Sequence, residues 1–115
     1  MNLIECIKRF PKTKILCIGD IMLDHFMYGI VSRISPEAPV PVFRFTREKQ
    51  MLGGVGNVVS NLKALGCSVT FLGVIGCDES GRKVSELLSE TGCRSKLLKL
   101  KKVPTIVKWS QPTTI

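Results

Sequence analysis

The stretch 51-MLGGVGNVVSNLKALGCSVTFLGVIG-76 decides how the rest of the chain is read. From Gly54 onward, Val55, Val58, Val59, Leu62 and Leu65 recur at helical spacing, and Gly66 stands where a C-cap belongs. An apolar run, 68–76, follows at once and reads as a buried strand. Working outward, 14-KILCIGD-20 is a second apolar run of strand length, and 78-DESGRKVSELLSETG-92 is an N-capped helix with Val84, Leu87 and Leu88 on one face. Short strands are expected at 94–100 and 105–109. Strand, helix, strand, helix, strand in succession is the pattern of an α/β fold with a central, mainly parallel sheet.

The flanks are less regular. Residues 2–9 read as a short helix capped by Asn2 and stopped by Pro11. Between the first strand and the glycine-rich stretch, 25–48 holds two β-prone pieces, near 25–30 and 40–46, with Pro36, Pro39 and Pro41 between them and at the start of the second. Prolines sit at sheet edges or outside ladders, so a small peripheral sheet is expected there. At the other end, 103-VPTIVKWSQPTTI-115 begins a strand without a helix to cover it. A sheet with so few crossovers keeps one bare face and a long edge. The expectation is an incomplete domain spanning 1–115.

Composition narrows the class. The chain has 115 residues, 44% of them hydrophobic and 23% charged, with a net charge of +8. That is the balance of a globular domain with a real core. The N-terminus lacks the uninterrupted apolar segment of a signal peptide, and no run is long enough to span a bilayer, so a cytoplasmic location and no membrane partner are expected. Five widely spread cysteines without a Cys-x-x-Cys pair, and His25 as the lone histidine, argue against a disulfide framework or a metal site. After Glu90 there are no acids, while Arg94, Lys96, Lys99, Lys101, Lys102 and Lys108 follow. With only Trp109 interleaved, a solvated basic edge is preferred over a nucleic-acid surface.

The glycines at 53, 54 and 56 invite a nucleotide reading, which fails. A P-loop requires Lys and a hydroxyl residue after its glycines, and a dinucleotide loop requires Gly or Ala where Val59 stands. A sugar clamp fits better. Gly53 and Gly54 let backbone come close to a ligand, Asn57 offers a donor and an acceptor, and Asp20 and Asp24 stand at or just beyond the carboxyl end of the first strand, the ligand edge of open α/β sheets. The residues alone leave this open against a plain helix start with both aspartates capping turns.

Three segments together carry a resemblance: 19-GDIMLDHFMYGIVSRISPEAPVPVF-43, 53-GGVGNVVSNLKALG-66 and 73-GVIGCDESG-81. They are similar to the N-terminal part of the ribokinase/PfkB family of sugar kinases, and 32-SRISPEAPVPV-42 resembles the heptose 7-phosphate kinase branch in particular. The resemblance covers about residues 12–108. It implies a ribokinase-like fold whose peripheral sheet, about 25–48, is a lid over the sugar. It implies ATP-dependent phosphorylation of the anomeric hydroxyl of a heptose 7-phosphate, a step toward ADP-heptose and lipopolysaccharide core. Asp24 matches the family's hydroxyl-gripping aspartate, Gly53 and Gly54 its di-glycine hinge, and Asn57 its substrate-binding asparagine. Arg33 and Glu37 are candidate substrate or lid-fixing residues. Lys108 falls where a phosphate-facing Lys-x-Arg pair is expected, with Ser110 in place of the Arg. Gly76, Asp78 and Gly81 match a Gly-x-Asp-x-x-Gly turn, read as structural. The family's catalytic base lies in a Gly-Ala-Gly-Asp motif, which these residues do not contain, so no catalytic residue is assigned, and the ATP and Mg2+ sites are expected outside this sequence. An inactive sugar-binding portion, able to form a homodimer through the lid, is the resulting expectation. A kinase of another sugar or nucleoside, and a basic interaction module, are the alternatives.

Overall fold

A computed structural model describes residues 2–114, with side chains placed for 2–112. Asn2 and Glu5 form a reciprocal capping box that starts helix α1 (Leu3–Lys8), and a 3-10 turn over Phe10–Lys12 leads into strand β1 (Lys14–Ile18). The remaining helices are α2 (Val55–Ala64) and α3 (Glu79–Thr91). Strand β4 (Ser68–Gly76) lies between them, and β5 (Arg94–Leu100) and β6 (Ile106–Ser110) follow. Gly66, with φ of 93°, ends α2, and Gly92, with φ of 78°, ends α3. Both adopt the left-handed conformation that favours glycine at helix ends.

Three parallel strands in the order β1-β4-β5 form the central sheet. Its one covered face supplies Cys17, Val69, Phe71 and Ile75, packed with Val59 of α2 and Val84 and Leu88 of α3. Phe71 and both helix valines are fully buried. The other face is open, as the sequence led one to expect: Leu16, Ile18, Val74 and Leu98 are exposed on it. The α/β class and the parallel central sheet are therefore observed.

The peripheral region differs from the expectation in two ways. Its β-prone pieces near 25–30 and 40–46 are parts of one hairpin of 14-residue strands, β2 (Ile21–Ile34) and β3 (Pro41–Gly54), longer at both ends than the 25–48 span. The three prolines sit in the connection and at the first residue of β3, where no ladder hydrogen bond is lost, so they do not shorten the pairing. Irregularities between Tyr28 and Gly29 and between Val31 and Arg33 let the long ribbon bend. The second difference concerns β6. It does not extend the central sheet but pairs in parallel with β2, giving a lid sheet ordered β3-β2-β6, with β7 (Thr113–Thr114) continuing beside β2. Projection of this ribbon explains a radius of gyration of 18.6 Å, against about 13 Å for a compact chain of this length.

Candidate functional site

The hairpin leaves the central sheet at its carboxyl edge. β1 ends at Ile18, Gly19 and Asp20 turn, and β2 begins at Ile21. Asp20 thus lies just past the strand end, as read from sequence. Asp24 does not. It is the fourth residue of β2, inside the lid sheet, because the apolar alternation of Ile21 and Leu23 continues the extended chain rather than opening a loop.

The return of β3 to the same edge creates the glycine elbow. Gly53 and Gly54 are the last residues of that strand and not a free loop. Gly54 has φ of 60° and ψ of −134°, and a Cβ there would stand 2.5 Å from the Asp20 carbonyl oxygen. A side chain is excluded on both counts. The Val55 amide donates to the Asp20 carbonyl at 2.9 Å, which ties the start of α2 to the β1–β2 turn. Gly56 packs its open face on Leu52 and Ile21. Gly53 serves a different neighbour: a Cβ there would lie 2.6 Å from the Asp24 Cγ and 2.7 Å from Oδ2. The missing side chain is what leaves room for the Asp24 carboxylate.

That carboxylate is unusual. Asp24 Oδ1 is buried and has no hydrogen-bond partner. Leaving a carboxylate oxygen buried and unpaired costs about 1–3 kcal/mol or more, a cost that a donor from water, an ion or a ligand offsets. Lys108 is the register partner of Asp24 on β6, yet the two form no ion pair. Asn57 is exposed in the first turn of α2, three residues past the elbow. Asp24, Gly53, Gly54, Asn57 and Lys108 therefore belong to one end of the molecule. Arg33 and Glu37 do not. Nine residues further along β2, Arg33 lies roughly 30 Å from Asp24, and Glu37 is in the tip loop, its amide donating to Ser35 Oγ.

Alternation along the lid strands sorts its side chains into two faces. Ile21, Leu23 and His25 point toward the helices and are buried. There His25 Nε2 lies 2.8 Å from Glu48 Oε2, Gln50 Nε2 lies 3.4 Å from His25 Nδ1, and the imidazole stacks on Trp109 at 4.2 Å. An imidazole protonated on Nε2 satisfies both contacts. Met22, Asp24, Phe26 and Tyr28 occupy the opposite face, with Arg47 stacked over the Tyr28 ring at 3.9 Å. Sequence reasoning missed this arrangement. His25, Glu48 and Trp109 are far apart in the chain, and only the strand register joins them.

The turn after β4 behaves as read. Asp78 caps α3, accepting from the Gly81 amide at 2.7 Å, and also accepts from the Thr105 amide at 2.9 Å and hydroxyl at 2.7 Å. Thr105 Oγ1 in turn accepts from the Gly76 amide at 2.9 Å. The Thr105 hydroxyl first, then the Thr105 and Gly81 amides, hold the Asp78 carboxyl below its ordinary pKa. All its oxygens are engaged, so it anchors the β5–β6 connection to α3.

The described residues do not fit the nucleotide or the metal that the resemblance implies. Among the described residues there is no cluster of three His, Cys, Asp or Glu able to hold a metal ion. The elbow's first amide is spent on Asp20, no Lys or hydroxyl residue directly follows the glycines, and the glycines are required by packing within the chain. A groove on the open face lies elsewhere, over Ile18, Leu72, Val74 and Leu98. Apart from Lys96 its lining is apolar and cannot orient a polar ligand.

A parallel sheet with a β ribbon rising from its carboxyl edge over a glycine elbow is an architecture that this chain shares with carbohydrate kinases. The chain belongs to the pfkB family of carbohydrate kinases, whose family model matches residues 12–112. It is 52% identical over 90 residues to the bifunctional protein HldE of Paramagnetospirillum magneticum, covering 78% of this chain and 18% of that protein. It is 45% identical over 101 residues to the D-beta-D-heptose 7-phosphate kinase of Bordetella bronchiseptica, covering 88% of this chain and 32% of the other. The chain thus spans less than a third of the length of these relatives. The carbohydrate kinase of Agrobacterium tumefaciens shares its fold, with a TM-score of 0.70 at 24% identity over 88% of this chain and 32% of that one. So does the Xylella fastidiosa fructokinase with bound ATP, with a TM-score of 0.65 at 24% identity over 86% of this chain and 29% of that one. Among the described residues no helix is long and apolar enough to cross a membrane.

Proposed function

We propose that this chain is the sugar-holding part of an ATP-dependent kinase acting on a heptose 7-phosphate. The observation that carries the reading is the buried, unpartnered Asp24 Oδ1 beside Gly53. A carboxylate in that state accepts hydroxyl hydrogens, and two adjacent sugar hydroxyls match its two oxygens. Names of the relatives support the choice of sugar. In this reading Gly53 and Gly54 bring the hairpin over the sugar, and Asn57 contributes a further donor and acceptor. Arg33 and Glu37, at the far tip, belong to lid contacts, including a second copy's lid.

The residues present bind and orient the acceptor and shield it from water; they hold no group placed to take the acceptor's proton or to carry a nucleotide. ATP supplies the phosphoryl group in such a kinase. Calorimetric titration of the chain with a heptose 7-phosphate, against ribose and adenosine as competitors, tests the proposal. Saturable binding of the heptose phosphate, lost in Asp24→Asn with an unchanged melting temperature, is expected. Binding that Asp24→Asn leaves intact, or preference for ribose or adenosine, overturns it.

A further inference from the structure

Behind the Asp24 face, one imidazole reaches all three strands of the lid. Its row across the sheet is Gln50–His25–Trp109, next to the row Met51–Asp24–Lys108. Glu48 and Gln50 of β3 meet its two ring nitrogens, and Trp109 of β6 stacks on it with 20° between the planes. His25 is 9% exposed and is the last buried side chain along β2. Below it, Ile21, Leu23 and Leu52 hold the ribbon to the helices by apolar packing. At its own row that packing gives way, and Gln50 lines a groove with Leu52, Ser60, Leu87 and Glu90. Strand β6 is tied down at its other end, where Thr105 bonds Asp78 and the Gly76 amide. A leucine at position 25 would continue the pattern of Ile21 and Leu23, so burial alone does not call for an imidazole there.

We infer that His25 is the positioning residue of the sugar site: it fixes β2 against β3 and β6 and so sets where the Asp24 carboxylate stands. The inference rests on the proposed sugar site and adds the device that aims it. Asp24 and His25 are consecutive on β2, so their side chains leave opposite faces while sharing one peptide unit. A rotation of the strand that moves the carboxylate also swings the imidazole. Glu48 and Gln50 oppose that motion on one side, and Trp109 opposes it on the other. An apolar side chain would fill the space without opposing the rotation. Hydrophobic burial has no preferred direction, whereas a hydrogen bond weakens steeply as its angle departs from linear. Trp109 carries the constraint down β6 to Thr105, and from there to Asp78 and the central sheet. The Asp24 face is thereby fixed relative to the glycine elbow as well as within its own sheet. Orientation matters because a carboxylate that accepts from two adjacent hydroxyls gains both bonds in one pose only.

The test is calorimetric titration of the full 115-residue chain with a heptose 7-phosphate. His25→Leu keeps the position filled and removes the hydrogen bonds and the stack, while His25→Gln keeps a donor for Glu48 and an acceptor for Gln50. Affinity is expected to fall about 10-fold in His25→Leu and to recover to within about 3-fold in His25→Gln, with denaturation midpoints unchanged. Coupling to Asp24 is the readout that a merely structural residue would not move. In an Asp24→Asn background, His25→Leu should weaken binding by less than about twofold, since no carboxylate remains to be aimed. Trp109→Leu, on the exposed side of the stack, removes the link to β6 alone. It should weaken binding about 3-fold with the same dependence on Asp24, and it keeps the test decisive should His25→Leu not fold. Unchanged affinity in these variants, or an equal loss on both backgrounds, overturns the positioning role and leaves the Asp24 site standing. A loss of affinity matched by a fall in the denaturation midpoint overturns it as well. Failure of the unaltered chain to bind the sugar removes the Asp24 site, and the positioning role with it.

Discussion

Asp78, just past the carboxyl end of β4, and Asp24, the fourth residue of lid strand β2, have carboxylates that are treated in opposite ways. Asp78 receives three hydrogen bonds from Gly81 and Thr105 and joins α3 to the segment that enters β6. Asp24 has a buried oxygen that receives none, in a space kept open by Gly53. A satisfied carboxylate stabilises the fold, and an unsatisfied one costs stability until a ligand arrives. In the proposed reading the contrast separates structure from recognition within one small domain. It also shows why a motif aspartate cannot be assigned a role from its residue type.

The comparison breaks most easily at Asp24. Asp24→Asn is expected to lower affinity for a heptose 7-phosphate by about 100-fold, the worth of two charge-assisted hydrogen bonds, with a denaturation midpoint equal to or above that of the unaltered chain. A large loss of stability would place Asp24 with Asp78. Next in size, Asp78→Ala removes a helix cap and both Thr105 bonds, and chemical denaturation should show a loss of about 2 kcal/mol. Thr105→Val sharpens the same side of the comparison. It leaves the Gly76 amide without its acceptor and removes one of the two donors to Asp78 Oδ1, for about 1 kcal/mol by the same measurement. The smallest effect is the dependence on pH. The Asp78 carboxyl is held below its ordinary value of 3.8 by Thr105 and Gly81, so its contribution is complete above about pH 4 and is lost as pH falls through the lower folded value. Denaturation midpoints from pH 5 down to 2 should fall less steeply in Asp78→Asn than in the unaltered chain.

Much of this was legible in the residues. The helical spacing of Val55 to Leu65, the strand at 68–76 and the Asp78 cap all depend on neighbours within a few positions, and all are observed. The open apolar face of the central sheet followed from counting crossovers. What went astray was the lid. Three prolines suggested two short strands, whereas they fall in the hairpin connection and at a strand start, so pairing runs through 14 residues on each side. Gly19-Asp20 is a turn signal that puts Asp24 near a strand end, and nothing local marks that extended chain resumes at the next residue. For β6 the local pattern specified a strand and not its partner. Strand propensity has no preference between the β5 edge and the β2 edge, and the parallel register with β2 settled it.

By itself the sequence determined the order of helices and strands, the glycine elbow and the identity of the residues around it. Periodicity, capping and glycine conformation act over a few residues, and each leaves a local mark. Tertiary structure alone decided which face each lid residue occupies. Asp24 became an orphaned carboxylate beside Lys108, while His25, Glu48 and Trp109 were gathered behind it. Register is the physical reason: a slip of one residue between strands would reverse every side chain, and that choice is made by burial of Ile21, Leu23 and Leu52 against the helices.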